Sequence, residues 1–360
     1  MRLLFITQEL DEDSDVLGIT PTWITALARR AEHVHVLALA VRRAAFPDNV
    51  SVYSMGKEHG ASRPARFARL FSVVGRLALR RQIDAVFVHM VPHYAILAAP
   101  IARPLRLPLV LWYTSGGVTG RLKLAHRLVD RVVTASSESF RLPSTKVVVT
   151  GHGLDTSLFD QPPLPPSRPV GVPFRIFSVG RISRVKDPAT LIHAVALLKE
   201  RESGRSVQVR IAGAPFYPDD HAYLRELHNL VGSLALQGEI EFSGPIPNRA
   251  LPPEYSACDV VVNTSRTGSV DKAVLEGMAC RRPVVTSNEA FIPIFGDLAG
   301  DLTFPSGDAE ALASRLYALA NWPPSELAAI GESLRQIAVR DHGLDQWADR
   351  TMAVLRSLAA

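Results

Sequence analysis

Three side chains stand out by type and spacing: Arg181 and Lys186 in "SVGRISRVKDP" (178–188), and Glu276 in "TGSVDKAVLEGMACRRPVVTSN" (267–288). The first stretch is a strand running into Gly180, then a loop with two cations, then a helix begun by Asp187 and Pro188. Glycine lets a ligand approach the backbone closely. Arginine offers a planar fork and lysine a point charge to phosphate oxygens. Such charge-assisted bonds contribute about 1.5–3 kcal/mol each. A solvated basic loop is the competing reading.

The second stretch predicts a turn at Gly268 and a helix starting near Ser269, with Asp271 in its first turn. Unpaired N–H groups at such a terminus attract anions. Glu276 is flanked by Ala273, Val274, Leu275, Gly277, Met278 and Ala279, so it is a carboxylate sunk in an apolar helix. Left unpaired there it costs several kcal/mol. Two vicinal hydroxyls of a ribose would satisfy it; so would a salt bridge to Arg281 or Arg282.

The elements that must position these groups are legible. Apolar runs rich in Val, Ile and Phe alternate with amphipathic segments, the pattern of parallel strands covered on both faces by crossover helices. The proline-rich "QPPLPPSRPVGVP" (161–173) interrupts the alternation, which then restarts. Length supports two cores, since 360 residues exceed what one core usually supports. We therefore expect an N-terminal domain over 1–160, a linker over 161–173, a second domain over 174–344 and a terminal helix over 345–360. Two doubly wound α/β units place a ligand in a cleft between their strand C-terminal edges.

Composition narrows the classes. The formal charge is +5, and only six of the 40 basic residues are lysine. That balance suits phosphates or anionic lipid, or reflects a general preference for arginine. No aromatic-basic module points to nucleic acid. Cys258 and Cys280 form no paired ligand spacing. "DEDSD" (11–15) reads as a solvated loop, and Pro92 argues against a helix aligning His89 with His93, so no metal site is expected. The "MRLLFITQEL" start lacks the features of a signal segment and no stretch is long enough to span a bilayer, which predicts a cytoplasmic location. At helical spacing, residues 63–81 place Phe67, Leu70, Phe71, Val74 and Leu77 on one face and Arg66, Arg69, Arg76 and Arg80 on another. The apolar face either covers the sheet or docks on an anionic membrane.

"GRISRVKDPATLI" (180–192) with "GSVDKAVLEGMA" (268–279) resembles the retaining family 4 glycosyltransferases (group 1 glycosyl transferases) of the two-domain GT-B fold. The resemblance extends to "VLGITPTWITALA" (16–28), "GHGLDTSLF" (151–159) and "DQWADRTMAVLRSL" (345–358). It implies an α/β GT-B enzyme of hexosyltransferase type that takes a sugar from a nucleotide sugar to a glycan or lipid-linked acceptor, as in polysaccharide biosynthesis. It needs no cofactor beyond that substrate.

By the same resemblance Gly180, Arg181 and Lys186 hold the diphosphate, with Arg181 and Lys186 catalytic. Glu276 holds the ribose, Ser269, Val270, Asp271 and Lys272 flank the sugar, and Gly18 gives the phosphate room from the other domain. The sequence departs from the family twice. The first glutamate of the Glu-x7-Glu motif falls on Gly268, and Ser115 stands where many members have a histidine. Ser115, His126 and His152 are the acceptor-side candidates, with His89 a further one. A nucleotide-sugar epimerase and a non-catalytic nucleotide-sugar-binding protein share the same architecture. A dinucleotide oxidoreductase and a P-loop enzyme are excluded, because neither glycine pattern is present.

Overall fold

The computed structural model describes residues 1–14, 17–165, 167, 169, 171–201 and 206–359. Two compact units divide the chain, Met1–Gly153 with Asp341–Ala360, and Leu154–Arg340. Asp15 of the acidic loop and residues 166, 168 and 170 of the proline-rich stretch lie outside the described residues. Within that stretch Leu164 is buried in the second unit's core.

The first unit is a seven-stranded parallel sheet of β1 (Arg2–Leu10), β2 (His33–Val41), β3 (Val50–Ser54), β4 (Ala85–His89), β5 (Leu109–Trp112), β6 (Arg131–Thr134) and β7 (Val147–Val149). Its order is β3-β2-β1-β4-β5-β6-β7. Helices α1 (Thr20–Ala28), α2 (Arg63–Leu79), α3 (Pro92–Ala102) and α4 (Gly120–Leu128) connect the strands. The continuous apolar runs have the expected cause. Leu4 and Ile6 of β1 enter the core beneath α2 and α3, while Leu3 and Phe5 enter a second core with α1 and the terminal helix Leu344–Ala359. In that second core Trp23 stacks on Trp347 at 4.3 Å and donates to the Gly153 carbonyl at 2.7 Å. Arg30 pairs with Asp345 and Asp349 beside it.

Helix α4 was not legible in the sequence. It spans only nine residues, and its start depends on Thr119, whose hydroxyl accepts from the Leu122 N–H at 3.2 Å.

The second unit is a five-stranded parallel sheet of β8 (Phe174–Val179), β9 (Val207–Ala212), β10 (Ile240–Gly244), β11 (Val260–Asn263) and β12 (Val284–Thr286), ordered β10-β9-β8-β11-β12. Helices α5 (Pro188–Glu200), α6 (Pro218–Ser233), α7 (Leu251–Ser256) and α8 (Lys272–Ala279) follow β8, β9, β10 and β11 in turn. Helix α8 lies close on the sheet because a Cβ on Gly277 would stand 3.0 Å from Val261 and 3.1 Å from Val284. Strand order reverses between β8 and β11, so the loops leaving those two strands diverge to opposite faces and leave a crevice between them. Gly180–Lys186 follows β8 and Thr264–Asp271 follows β11. The topology therefore brings together the two stretches that carry the predicted chemistry.

Candidate functional site

The loop after β8 is held from below and from the side. The Gly180 and Ile182 N–H groups donate to the Ala212 and Ala214 carbonyls at 3.0 Å each. Gly213 packs directly on the Gly180 carbonyl, where a Cβ would come within 1.8 Å. From the loop after β11, the Thr264 hydroxyl donates to the Lys186 carbonyl at 2.6 Å and the Arg266 N–H to the Val185 carbonyl at 2.9 Å. The Arg266 guanidinium grips the buried Asp187 carboxylate through Nη2 at 2.6 Å and Nε at 3.0 Å. Asp187 thereby tolerates a left-handed backbone, φ 48°, immediately before α5. Neither Gly213, Thr264 nor Arg266 was singled out from the sequence, since glycines, threonines and arginines in loops are common and only the fold makes these neighbours.

Arg181 and Lys186 line one small concavity with Gly180, Asn263 and Thr264. The Arg181 guanidinium lies over the Tyr217 ring, 5.4 Å from its centroid, and no carboxylate among the described residues pairs with it. Lys186 is ion-paired with Asp271. Burial pushes the Asp271 carboxyl up, but the Lys186 ammonium and hydrogen bonds from Lys186, Asn263 and the Ala273 N–H outweigh it and hold Asp271 below the ordinary carboxylate range. An ammonium has three donors, so Lys186 can keep Asp271 and still present N–H groups to an anion.

Helix α8 starts at Lys272, and Asp271 is its N-cap, accepting from the Ala273 N–H at 3.3 Å. This corrects the start near Ser269 expected from the sequence. A capping aspartate competes for its own helix's N–H groups, so the terminus is already engaged by a carboxylate. Ser269 lies on the approach, its carbonyl accepting from the Asn288 amide at 2.7 Å, and Val270 is buried. Gly268 adopts φ 59°, a left-handed conformation that disfavours the glutamate of the related motif.

Glu276 is buried to 2% exposure and is not bare. Its Oε1 accepts from the Asn248 amide at 2.6 Å and faces the Lys272 ammonium at 3.4 Å, one helical turn back. Its Oε2 accepts from the Tyr255 hydroxyl at 2.8 Å. The alternative partners are committed elsewhere: Arg281 pairs with Asp160 and Glu332, and the Arg282 guanidinium donates to backbone carbonyls of Tyr255, Ser256 and Cys280. Glu276 therefore sits off the wall of the Arg181–Lys186 concavity and is linked to it through Lys272, the helix and Asp271. Asn248 and Tyr255 were missed because they come from the loop and helix after β10, remote in sequence.

In the first unit the candidates scatter. The Gly18 N–H donates to the Ser14 carbonyl at 3.0 Å, and a Cβ there would meet that oxygen at 2.6 Å, so the glycine has a local reason. The Ser115 N–H donates to the Ser139 carbonyl at 2.9 Å. His126 shares a hydrogen bond with Ser144 at 2.6 Å, and burial and Lys146 lower its pKa. His152 lies against Trp112 and Trp23. His89 bonds Thr7 at 3.0 Å, and complete burial pushes its pKa down to about 3, so it is a neutral core group. His93 is instead on α3, which Pro92 opens. Among the described residues no three His, Cys, Asp or Glu side chains gather as metal ligands, and no helix is long and apolar enough to cross a membrane.

Residues 173–321 match the family model described as Glycosyl transferases group 1. The match is confined to that segment of the second unit. It contains every residue of the Arg181–Glu276 site. A D-inositol 3-phosphate glycosyltransferase of Corynebacterium efficiens is 31% identical over 41% of this chain and 36% of its own length. A putative colanic acid biosynthesis glycosyltransferase, WcaL of Escherichia coli, is 30% identical over 55% of this chain and 48% of its own. The match thus spans about a third to a half of these relatives. Among solved structures, Anabaena HepE in complex with UDP has a TM-score of 0.77 at 18% identity, covering 99% of this chain and 100% of that one. Sucrose-phosphate synthase of Thermosynechococcus elongatus has a TM-score of 0.76 at 20% identity, covering 99% and 98%. The fold is GT-B, as the family resemblance implies, and its parallel sheets with crossover helices are those the alternation predicts.

Proposed function

We propose that this protein is a retaining family 4 glycosyltransferase of hexosyltransferase type. It moves a sugar from a nucleoside diphosphate to a hydroxyl of a glycan or lipid-linked acceptor. The observation that carries the reading is the meeting, at the β8/β11 switch point, of the Arg181–Lys186 loop with Asp271 and the start of α8. In this reading Arg181 and two free N–H groups of Lys186 take the diphosphate oxygens. Glu276 takes the ribose hydroxyls with the lone pair left on Oε2 and, once Asn248 yields, with Oε1. Ser269 to Lys272 flank the sugar. The UDP bound by the Anabaena neighbour supports a nucleoside diphosphate as ligand.

The sequence of bond changes follows from having cations on the leaving group while the two carboxylates of the site are engaged, Asp271 by Lys186 and Glu276 by Asn248, Tyr255 and Lys272. The anomeric C–O bond breaks with its electron pair passing to the diphosphate, the acceptor oxygen bonds the same carbon from the same face, and the acceptor proton goes to the departing phosphate oxygen. Arg181 and Lys186 stabilise the charge that grows there, a term worth about 2.7–4 kcal/mol per donor. A thermal-shift panel of nucleoside diphosphates tests the site, because a ligand at 100 times its Kd stabilises by about 2.7 kcal/mol. Arg181→Ala and Lys186→Ala each abolish most of that shift and lower sugar transfer by about two orders of magnitude. Unchanged shifts in both variants refute the assignment.

Helix α2 supports peripheral work at the inner face of a membrane. Leu70, Val74 and Leu77 are buried, but Phe67 and Phe71 stand 37% and 39% exposed. Arg63, Arg69, Arg76 and Arg80 are all exposed, Arg69 donating to the Met55 carbonyl at 3.2 Å and Arg76 lying over Tyr53.

A further inference from the structure

A second cavity, about 550 Å³, opens beyond the ends of β11 and β12, wholly within the second unit. Its wall includes Ser265, Arg266, Gly268, Asn288, Thr303 and Arg315. Arg315 projects from the helix Ala309–Asn321, is partly buried, and has no ion-pair partner among the described residues. Arg266 is balanced by Asp187 through Nε and Nη2, which leaves Nη1 uncommitted. Among the described residues the only carboxylate on the wall is Glu289, which is exposed, so water screens it more than it screens Arg315. The cavity therefore offers an anion a partly desolvated guanidinium, while the Thr303 hydroxyl and one N–H of the Asn288 amide are already given to the Ala299 and Ser269 carbonyls.

Its place relative to the Arg181–Lys186 site gives the anion an identity. The segment Thr264–Asp271 is a shared wall: Thr264 and Asp271 contact the Lys186 loop, while Ser265, Arg266 and Gly268 face the cavity. Gly268 places no side chain between the two. On the donor-site reading, a diphosphate at Lys186 leaves the group attached to it, the sugar to be transferred, next to this shared wall and the cavity behind Gly268.

We propose that the transferred sugar is itself acidic, a uronic acid whose carboxylate is held by Arg315 with Arg266 beside it. The inference rests on the donor-site reading above. A monoanion matches a cavity with one unmatched guanidinium, and a planar carboxylate fits its fork.

Isothermal titration of the full chain with UDP, UDP-glucose and UDP-glucuronate, and with GDP, GDP-mannose and GDP-mannuronate, tests this on wild type, Arg315→Met and Arg315→Lys. The expected result is that the uronate of one base series binds about tenfold or more tighter than its neutral hexose, the factor one charge-assisted hydrogen bond supplies. In Arg315→Met that preference falls to within about twofold, in Arg315→Lys it is partly retained, and the affinity for the nucleoside diphosphate is unchanged, which also certifies the fold. If a nucleoside diphosphate binds but the hexose donor binds as tightly as the uronate, or the preference survives in Arg315→Met, the acidic-sugar inference falls and the donor site stands. If no nucleoside diphosphate binds the wild type, both fall.

Discussion

Removing the cation from the Lys186–Asp271 pair should cost more stability than removing the anion. The Asp271 side chain is 8% exposed and that of Lys186 25%. Lys186→Met strands a buried carboxylate that keeps only the Asn263 amide, at 3.1 Å, and the Ala273 N–H. Breaking a fully buried pair costs about 3–5 kcal/mol, and discounting for the solvent that reaches Lys186 leaves about 2–3 kcal/mol. Asp271→Asn leaves an ammonium that can turn to water and an amide that can still cap α8, so its cost is about 1 kcal/mol. For a unit of this size the first change lowers Tm by about 5–10 °C and the second by about 2–4 °C. The double variant Lys186→Met/Asp271→Asn should recover much of the first loss, because it no longer buries a charge.

The assay is calorimetry or urea titration of the four proteins without ligand. Folded Asp271 holds its proton less tightly than the unfolded chain does, so the pair stabilises fully above the ordinary carboxylate range. Its advantage over the double variant fades as pH falls through the lower folded value. Equal costs for the two single changes, or an advantage that grows toward low pH, would refute the account.

Tyr255→Phe removes the hydroxyl that orients Glu276 Oε2, and it should weaken nucleoside diphosphate binding about tenfold while leaving kcat within about twofold, read from the split between KM and kcat. Gly268→Ala forces a side chain into φ 59° and should cost about 1–2 kcal/mol in urea titration. In liposome flotation Phe67→Ser/Phe71→Ser should lose recovery on anionic vesicles at low salt while the variant still unfolds in one cooperative transition, at a lower Tm because both rings are partly buried; equal recovery of variant and wild type counts against docking through α2.

The fold was legible because the inner strands, β4 and β11 among them, are continuous apolar runs, and the continuity has one cause, burial on both faces of a parallel sheet. "IEFSG" in the sequence is β10, residue for residue. Short elements fixed by a single side chain were not, as α4 and its Thr119 cap illustrate. The site was legible where local pattern carries it: a strand, a glycine, cations, a helix. What sequence could not supply is who answers whom. Glu276 was expected to need a ligand or Arg281 or Arg282, yet Asn248, Tyr255 and Lys272 reach it first, two of them from elements more than twenty residues away. Likewise Lys186 was expected to be free for phosphate and is shared with Asp271.

The loops after β8 and β11 are sewn together at Val185, Lys186 and Asp187 by Thr264, Arg266 and Asp271. Anyone grafting the 180–187 segment from a relative to alter donor choice would have to transplant 263–271 with it. A swap of one without the other discards its mates across the switch point, and the chimera would misplace the very cations it was built to exchange.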